Sequence, residues 1–188
     1  MPNLYIISGC NGAGKTTASF TILPEMLNCR EFVNADEIAK GLSPFQPEKV
    51  AIDAGRIMLK RIQELLDTGS DFAFETTLAT KSYLKTIIEA QSKGYFVTLI
   101  YFWLNTPELA VERVKKRVLM GGHNIPEEII YRRYQNGLHN LSKLYMPNSD
   151  FWMIIDNSNP PFRVIAEGNK LDNIIVSNQH VFNQIIQI

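Results

Sequence analysis

The stretch LYIISGCNGAGKT, residues 4–16, decides the fold of this chain. It begins with an apolar run and then fits the pattern G-x-x-x-x-G-K-[ST] from Gly9 to Thr16. The glycines let the backbone curl so that its N–H groups point at phosphate oxygens, and the helix that follows adds its positive end. A plain glycine turn that caps a helix is the alternative, and the strand-like run in front of the loop disfavours it.

The loop supplies candidate ligands for a nucleoside triphosphate and for magnesium. Lys15 is predicted to hold the β- and γ-phosphates, and the hydroxyl of Thr16 is predicted to ligate Mg2+. The other nucleotide-binding residues predicted here belong to the loop and the first helical turn, namely Gly9, Asn11, Gly12, Ala13, Gly14 and Thr17.

Length and composition favour one domain over residues 1–188, because 45% of the residues are hydrophobic and can fill a single core. Nineteen basic side chains balance nineteen acidic ones, so no global field recruits nucleic acid or an anionic membrane. No apolar run approaches a membrane span, and the N-terminus lacks a signal-peptide pattern, which favours the cytoplasm. Cys10 and Cys29 are expected to be free thiols, since a disulfide between them would distort the loop.

The hydrophobic pattern alternates short β-branched or aromatic runs with helical periods, which predicts a three-layer α/β fold with a mostly parallel, five-stranded sheet. The expected strands are 4–8, 31–34, 71–75, 96–104 and 151–156, and a C-terminal edge hairpin is expected from 162–166 and 173–176. Helices are expected from Pro47 to about Gly69, from a cap at Thr80 to Gly94, and after Thr106 and Pro126. The apolar run 181–188 is compatible with a helix, a strand or a subunit contact.

Ligands of an open parallel sheet bind beyond the carboxyl ends of its strands, so polar residues just after strands are candidates for chemistry. Asp36 is predicted to accept the proton of an attacking hydroxyl, with helix capping as the alternative. Glu75 ends an apolar strand, where a carboxylate is costly unless it is bonded, and with Thr76 and Thr77 it is predicted to contact the acceptor or to orient a magnesium-bound water. Asp156 is better explained as a turn residue.

Basic residues concentrate between Arg113 and Arg133, where six of them meet only two acidic ones. Two arginine-bearing helices joined by a loop with Gly121 and Gly122 suggest a lid over residues 113–133 that closes on the triphosphate and excludes water. A solvated basic surface is the alternative. The expected contributors are Arg113, Arg117, Arg132 and Arg133, and His123 is interpreted as a hinge or surface residue.

Four strings carry a family resemblance: GCNGAGKTT, NADEIAKGLSP, FAFETTLA and GGHNIPEEIIYRRY resemble the zeta-toxin family of P-loop kinases. The resemblance covers about residues 4–158. It implies a nucleoside-monophosphate-kinase-like fold and an ATP-dependent kinase, with the 3'-hydroxyl of UDP-N-acetylglucosamine as the best-known acceptor. It also implies Walker roles for Lys15 and Thr16, Asp36 as catalytic base, Glu75 as an acceptor contact, Arg117 with Arg132 or Arg133 in the lid, and an antitoxin partner.

Two departures keep the acceptor open. The chain is shorter than the well-known toxins, and NADEIA lacks the arginine that typically follows the catalytic Asp. Kinases of another acceptor, such as a nucleoside, sugar, antibiotic or nucleic-acid end, therefore remain alternatives, and neutral charge disfavours the last. A contrasting class is a nucleotide-driven switch or binding module that signals to a partner protein.

Overall fold

The fold is a seven-stranded sheet, described by a computed structural model for residues 1–122, 124–170 and 173–187. The strand order is β2-β3-β1-β4-β5-β6-β7. Strands β1 to β5 are parallel, and β6 and β7 add antiparallel strands at one edge. The strands are β1 Asn3–Gly9, β2 Phe32–Val33, β3 Phe72–Thr76, β4 Phe96–Trp103, β5 Phe151–Asp156, β6 Arg163–Asn169 and β7 Ile174–Val176.

The central strands are buried on both faces, which establishes the three-layer architecture. In β1 every residue after Asn3 is buried, and β4 is buried continuously from Leu99 to Trp103. A strand without an exposed alternate face needs cover on both sides, as helices provide in α/β proteins. Strand β1 lies between β3 and β4, where the chain order reverses, so the loop after β1 opens at the switch point of the sheet.

The helices mostly have the local signals that were expected. They are α1 Lys15–Thr21, α2 Ala35–Leu42, α3 Ala51–Thr68, α4 Tyr83–Ser92, α5 Pro107–Leu119, α6 Glu127–Asn140, α7 Met146–Asn148 and α8 Gln179–Ile186. Helix α3 ends at Gly69 in the left-handed conformation, with φ 66°. Helix α5 begins after Thr106, whose side chain accepts a hydrogen bond from the N–H of Leu109.

Two predicted boundaries are wrong, and the helix start at Pro47 is confirmed in a modified form. Helix α4 begins after Ser82 rather than after Thr80, whose hydroxyl instead hydrogen-bonds Ser82 at 2.9 Å. Pro47 opens a short 3₁₀ turn, Pro47–Val50, which leads into α3. Strand β2 is only two residues long, because Asn34 already serves as the N-cap of α2.

The predicted C-terminal hairpin exists as β6 and β7, but it is part of the main sheet, since β6 pairs with β5. The predicted terminal apolar run forms α8, in which Phe182 is buried and stacks on Trp152 with 6.0 Å between the ring centroids. Ile188 and His123 lie outside the described residues. Among the helices that are described, none is long and apolar enough to cross a membrane.

Candidate active site

The loop between β1 and α1 has the backbone that its glycines suggested. Gly9, Gly12 and Gly14 all have positive φ angles, of 138°, 79° and 82°. At Gly9 an added Cβ would lie 2.3 Å from the carbonyl oxygen of Phe102, so β4 backbone leaves no room for a side chain. At Gly12 an added Cβ would lie 2.8 Å from the carbonyl oxygen of Ala110. Only glycine fits these two positions.

A buried ion pair lies directly beneath the loop. Lys15 Nζ is 3.4 Å from Glu75 Oε1, and the two side chains are only 6% and 10% exposed. Lys15 Nζ also donates to the carbonyl oxygen of Cys10 at 3.0 Å. The hydroxyl of Thr16 donates to Glu75 Oε2 at 2.7 Å. Glu75 is therefore bonded to both Lys15 and Thr16, which satisfies a carboxylate that would be costly in an apolar strand.

Asn34 fixes the start of α2 and reaches the same carboxylate. Its Oδ1 accepts from the backbone N–H groups of Asp36 and Glu37, at 2.8 and 3.4 Å. Its Nδ2 donates to Glu75 Oε2 at 2.9 Å. The capping role considered for Asp36 thus belongs to Asn34, and Asp36 lies in the first turn of the helix.

Lys15, Asn34, Asp36 and Glu75 line one cavity of about 230 Å³, here called the central cavity. It brings together seven of the residues singled out in the sequence, namely Asn11, Lys15, Asp36, Glu75, Thr76, Thr77 and Arg133. The sequence analysis did not place Asn34, Thr80 or Tyr83 in a site, yet they also line the cavity. It lies at the carboxyl ends of β1 and β3, where an open α/β sheet is expected to bind its ligands.

A turn after β3, here called the hydroxyl-bearing wall, lines the central cavity with Thr76 and Thr77. Thr76 Oγ1 accepts from the N–H of Leu78 at 3.1 Å, and Thr77 Oγ1 accepts from Ala79 at 3.4 Å. Leu78 has a positive φ of 55°, a conformation that the two hydrogen bonds and full burial hold in place. Because each hydroxyl accepts through oxygen, its proton stays available to a ligand.

Helix α6 and the segment that follows it hold this turn in place through two hydrogen bonds. Asn140 Nδ2 donates to the carbonyl oxygen of Leu78 at 2.7 Å, and an added Cβ at Gly137 would lie 2.7 Å from the carbonyl oxygen of Thr77. Tyr145, in the turn after α6, donates to the carbonyl oxygen of Thr80 at 2.6 Å. The hydroxyl-bearing wall is therefore built on a rigid element.

Arg133, one of the arginines of the predicted lid, hydrogen-bonds a side chain of the loop. Its NH1 donates to Asn11 Oδ1 at 3.1 Å. Burial lowers the pKa of the Arg133 guanidinium, the negative charge of Asp36 opposes that shift, and Arg132 adds to it. The group remains a cation at neutral pH, because arginine is not deprotonated in proteins.

Arg132 is exposed and lines a second cavity of about 310 Å³. This cavity lies between α2 and the start of α6, and Asp36 and Arg133 border both cavities.

Arg113 and Arg117 lie along α5, away from the central cavity. Arg113 donates to the carbonyl oxygen of Ser158 at 2.8 Å, in the segment after β5. Arg117 packs on the loop that follows α5, where an added Cβ at Gly122 would lie 2.6 Å from its Cγ. Thr17 is exposed in the first turn of α1. The nucleotide-binding roles expected of these three residues stay predictions.

Besides Thr80 and Tyr83, two further polar residues at the site, Asn157 and Asn34, were not predicted. Asn157, just after β5, donates through Nδ2 to the carbonyl oxygen of Ala13 at 2.8 Å and so braces the loop. Asn34 did have a signal, since an N-cap residue followed three positions later by Glu37 is typical of a helix start. Asp156 is the turn residue that was expected, because its Oδ1 accepts from the N–H of Ser158 at 2.8 Å.

The glycine-rich loop lies at the switch point of a mostly parallel sheet and ends in a lysine and a threonine. These features define a P-loop nucleotide-binding protein with the fold of small-molecule kinases. The chain belongs to the zeta toxin family, whose model matches residues 1–159. An uncharacterized protein of Haemophilus influenzae is 33% identical to it over 127 residues, which are 67% of this chain and 88% of that protein.

Two solved structures share the fold. The first comes from the PezAT chromosomal toxin–antitoxin system of Streptococcus pneumoniae, with a TM-score of 0.70 and 18% identity, and the match covers 100% of this chain and 84% of that one. The second is AvrRxo1-ORF1:-ORF2 with ATP, with a TM-score of 0.77 and 15% identity. That match covers 99% of this chain and 64% of the other. Family membership and the P-loop fold support a nucleotide-dependent kinase.

Proposed function

We propose that this protein is an ATP- and magnesium-dependent kinase that transfers the γ-phosphoryl group to a hydroxyl of a small molecule. The observation that carries the proposal is the convergence of Lys15, Asp36, Glu75 and Arg133 on one cavity at the mouth of the loop. Phosphoryl transfer depends chiefly on positioning and on charge stabilisation, and this set offers two cations and two carboxylates within one site.

Lys15 and the loop N–H groups would bind the β- and γ-phosphates. Magnesium prefers hard oxygen ligands, and the Thr16 hydroxyl and the Glu75 carboxylate, 2.7 Å apart, match that preference. We assign Thr16 as the protein ligand of the ion and Glu75 as its neighbour, which would hold a magnesium-bound water or the acceptor. When bound, magnesium neutralises charge on the phosphate oxygens.

Asp36 is the proposed general base. It lines the same central cavity as Thr76, Thr77 and Glu75, so an acceptor held by those three residues could present an alcohol to it. The acceptor oxygen forms a bond to the γ-phosphorus as the bond to the β,γ-bridging oxygen breaks. The acceptor proton passes to the Asp36 carboxylate, and ADP leaves.

Arg133 would stabilise the transferring group. It already bonds Asn11 of the loop at 3.1 Å, and its partial burial strengthens its field at the γ-phosphate position. Arg132 would contact the part of the acceptor or nucleotide that extends into the second cavity. Arg113 and Arg117 complete the proposed lid over residues 113–133, which belongs to the single domain proposed for residues 1–188.

The family supplies a first acceptor and a partner to test. A UDP-amino sugar is the first acceptor to offer, because UDP-N-acetylglucosamine is the known acceptor of zeta toxins. An antitoxin protein that blocks the nucleotide site is the corresponding partner, and a cytoplasmic location fits both. The hydroxyl-lined cavity next to the loop favours a kinase over a nucleotide-driven switch, which would need no acceptor pocket.

The test is transfer from γ-labelled ATP with magnesium, offered UDP-N-acetylglucosamine, other UDP-sugars, and water in separate reactions. Asp36→Asn should abolish the labelled product while leaving ATP binding within about 3-fold, since a lost general base costs about 10²–10⁴-fold in rate. Asp53→Asn is the matched control, because Asp53 is 63% exposed on α3 and pairs with Arg56 on the same helix. Label that reaches only water, or an Asp36→Asn protein with full transfer, would overturn the proposal.

A further inference from the structure

Asn34 uses every hydrogen-bonding group of its side chain within the site. It is 5% exposed, its Oδ1 accepts two N–H groups from the first turn of α2, and its Nδ2 donates to Glu75. The same Nδ2 lies 3.5 Å from the hydroxyl oxygen of Thr16. The opposite amide orientation would turn N–H groups toward backbone N–H donors and a carbonyl toward a carboxylate, so the chemistry selects this one.

The position of Glu75 Oε2 in turn decides how the Thr16 hydroxyl points. Oε2 receives both the Thr16 proton at 2.7 Å and the Asn34 amide proton at 2.9 Å. A threonine hydroxyl that donates its proton to Glu75 keeps a lone pair available for a cation, even while Asn34 Nδ2 approaches its oxygen at 3.5 Å. An amide that holds Oε2 in place therefore holds the hydroxyl in the orientation that a magnesium ligand needs.

We propose that Asn34 is a positioning residue for the magnesium-binding hydroxyl. It acts through Glu75, and at the same time it fixes the helix turn that carries Asp36. The inference deepens the proposed function and rests on its assignment of Thr16 as the magnesium ligand. One buried amide thereby sets the distance between the metal side of the site, on α1 and β3, and the proton-accepting side, on α2.

Substituting serine at this position separates the two roles. Serine caps a helix about as well as asparagine does, but its single short hydroxyl cannot cap α2 and also reach Glu75. Asn178→Ser is the matched control, because Asn178 caps α8 through the same bond to a backbone N–H, that of Val181, outside the site. Thermal unfolding of both variants checks the fold, and Asn34→Gly, whose capping cost is small, replaces the serine variant if that one does not fold.

The measurement is the binding of a fluorescent N-methylanthraniloyl-ATP as MgCl2 is titrated, which requires no turnover. Asn34→Ser should raise the magnesium concentration for half-saturation about 10-fold or more, as is typical when an outer-shell partner of a metal ligand is lost. Asn178→Ser should leave that concentration unchanged. In a Glu75→Ala background, adding Asn34→Ser should change it by less than about 2-fold, since the partner through which Asn34 acts is gone.

Two results would overturn the inference: an Asn34→Ser protein with the magnesium requirement of the wild type, or an effect that persists at full size in the Glu75→Ala background. The second would show that Asn34 acts without Glu75, through the helix cap or through its direct approach to the Thr16 hydroxyl. Phosphate transfer assayed on the same wild-type preparation keeps the two proposals apart. Absence of transfer to any acceptor, combined with the expected magnesium titrations, refutes the proposed kinase reaction and leaves the role of Asn34 intact.

Discussion

Replacing Gly9 by alanine should cost much of the stability of the protein, whereas the same change at Gly55 should raise it. Gly9 ends β1 at φ 138°, and an added Cβ would lie 2.3 Å from the carbonyl oxygen of Phe102 and 3.3 Å from the Cβ of Ala13. Gly55 lies in α3, where an added Cβ meets nothing within 4 Å. The two variants add the same methyl group in opposite environments.

The magnitude follows from two terms. Holding an alanine in a backbone region that side chains rarely adopt costs about 1–3 kcal/mol. Forcing a methyl group against backbone that is paired on both sides adds about 1–3 kcal/mol, because β4 cannot yield without breaking its pairing with β1 and β5. At Gly55, helix propensity favours alanine by about 0.5–1 kcal/mol.

Thermal unfolding by circular dichroism measures both effects. For a domain of this size 1 kcal/mol shifts Tm by about 2–4 °C, so Gly9→Ala should lower Tm by about 4 to 24 °C and Gly55→Ala should raise it by a few degrees. ATP binding measured below the transition should fall for Gly9→Ala only. A Gly9→Ala protein whose Tm lies within roughly 2 °C of the wild type would refute the reasoning about the crowded loop.

Two further predictions concern charge. Arg133→Gln should lower kcat/KM for transfer by about 10²-fold or more, because the guanidinium reaches the loop. The same change at exposed Arg132 should lower kcat/KM by less than about 10-fold. Equal losses in the two variants would contradict the different roles given to the two arginines. Burial raises the pKa of the Cys10 thiol from 9.0 to about 11. The unfolded thiol therefore ionises first, and the free energy of unfolding should fall as pH rises from 9 to 11, by at most about 2.7 kcal/mol for this group. In urea unfolding, the free energy of unfolding of Cys10→Ala should decline less steeply with pH than that of the wild type. An unchanged slope would contradict the contribution assigned to the Cys10 thiol.

Local chemistry made several elements predictable. The loop pattern from Gly9 to Thr16 needs only its own glycines to curl, and the start of α5 needs only Thr106 and Pro107, so both could be inferred without tertiary information. Family membership, confirmed for residues 1–159, also followed from short strings along the chain. Cys10 and Cys29 are free thiols, as the position of Cys10 in the loop indicated, and both are buried.

Contacts between side chains that belong to different strands and helices were not predictable from the sequence. The bond between Asn34 and Glu75 joins residues 41 positions apart and exists only because β2 lies beside β3. The sequence has arginines at 132 and 133 on one predicted helix, but it does not show which of the two side chains faces the loop. Neighbours on a helix point about 100° apart, so only one of them can do so. The length of β6 depends on its pairing with β5, which extends the strand to Asn169, beyond its apolar run.

The buried contact between Lys15 and Glu75 bears on which anions the site admits. The ammonium already has a built-in counterion 3.4 Å away, so a bare phosphate or sulfate must compete with that carboxylate for it. With the proposed roles of Lys15 and Glu75, a metal-bearing nucleotide would bring its own cation toward Glu75 as its phosphates took over Lys15, so each charge would exchange one partner for another. The internal ion pair would then favour polyphosphates that arrive with a metal over simple anions.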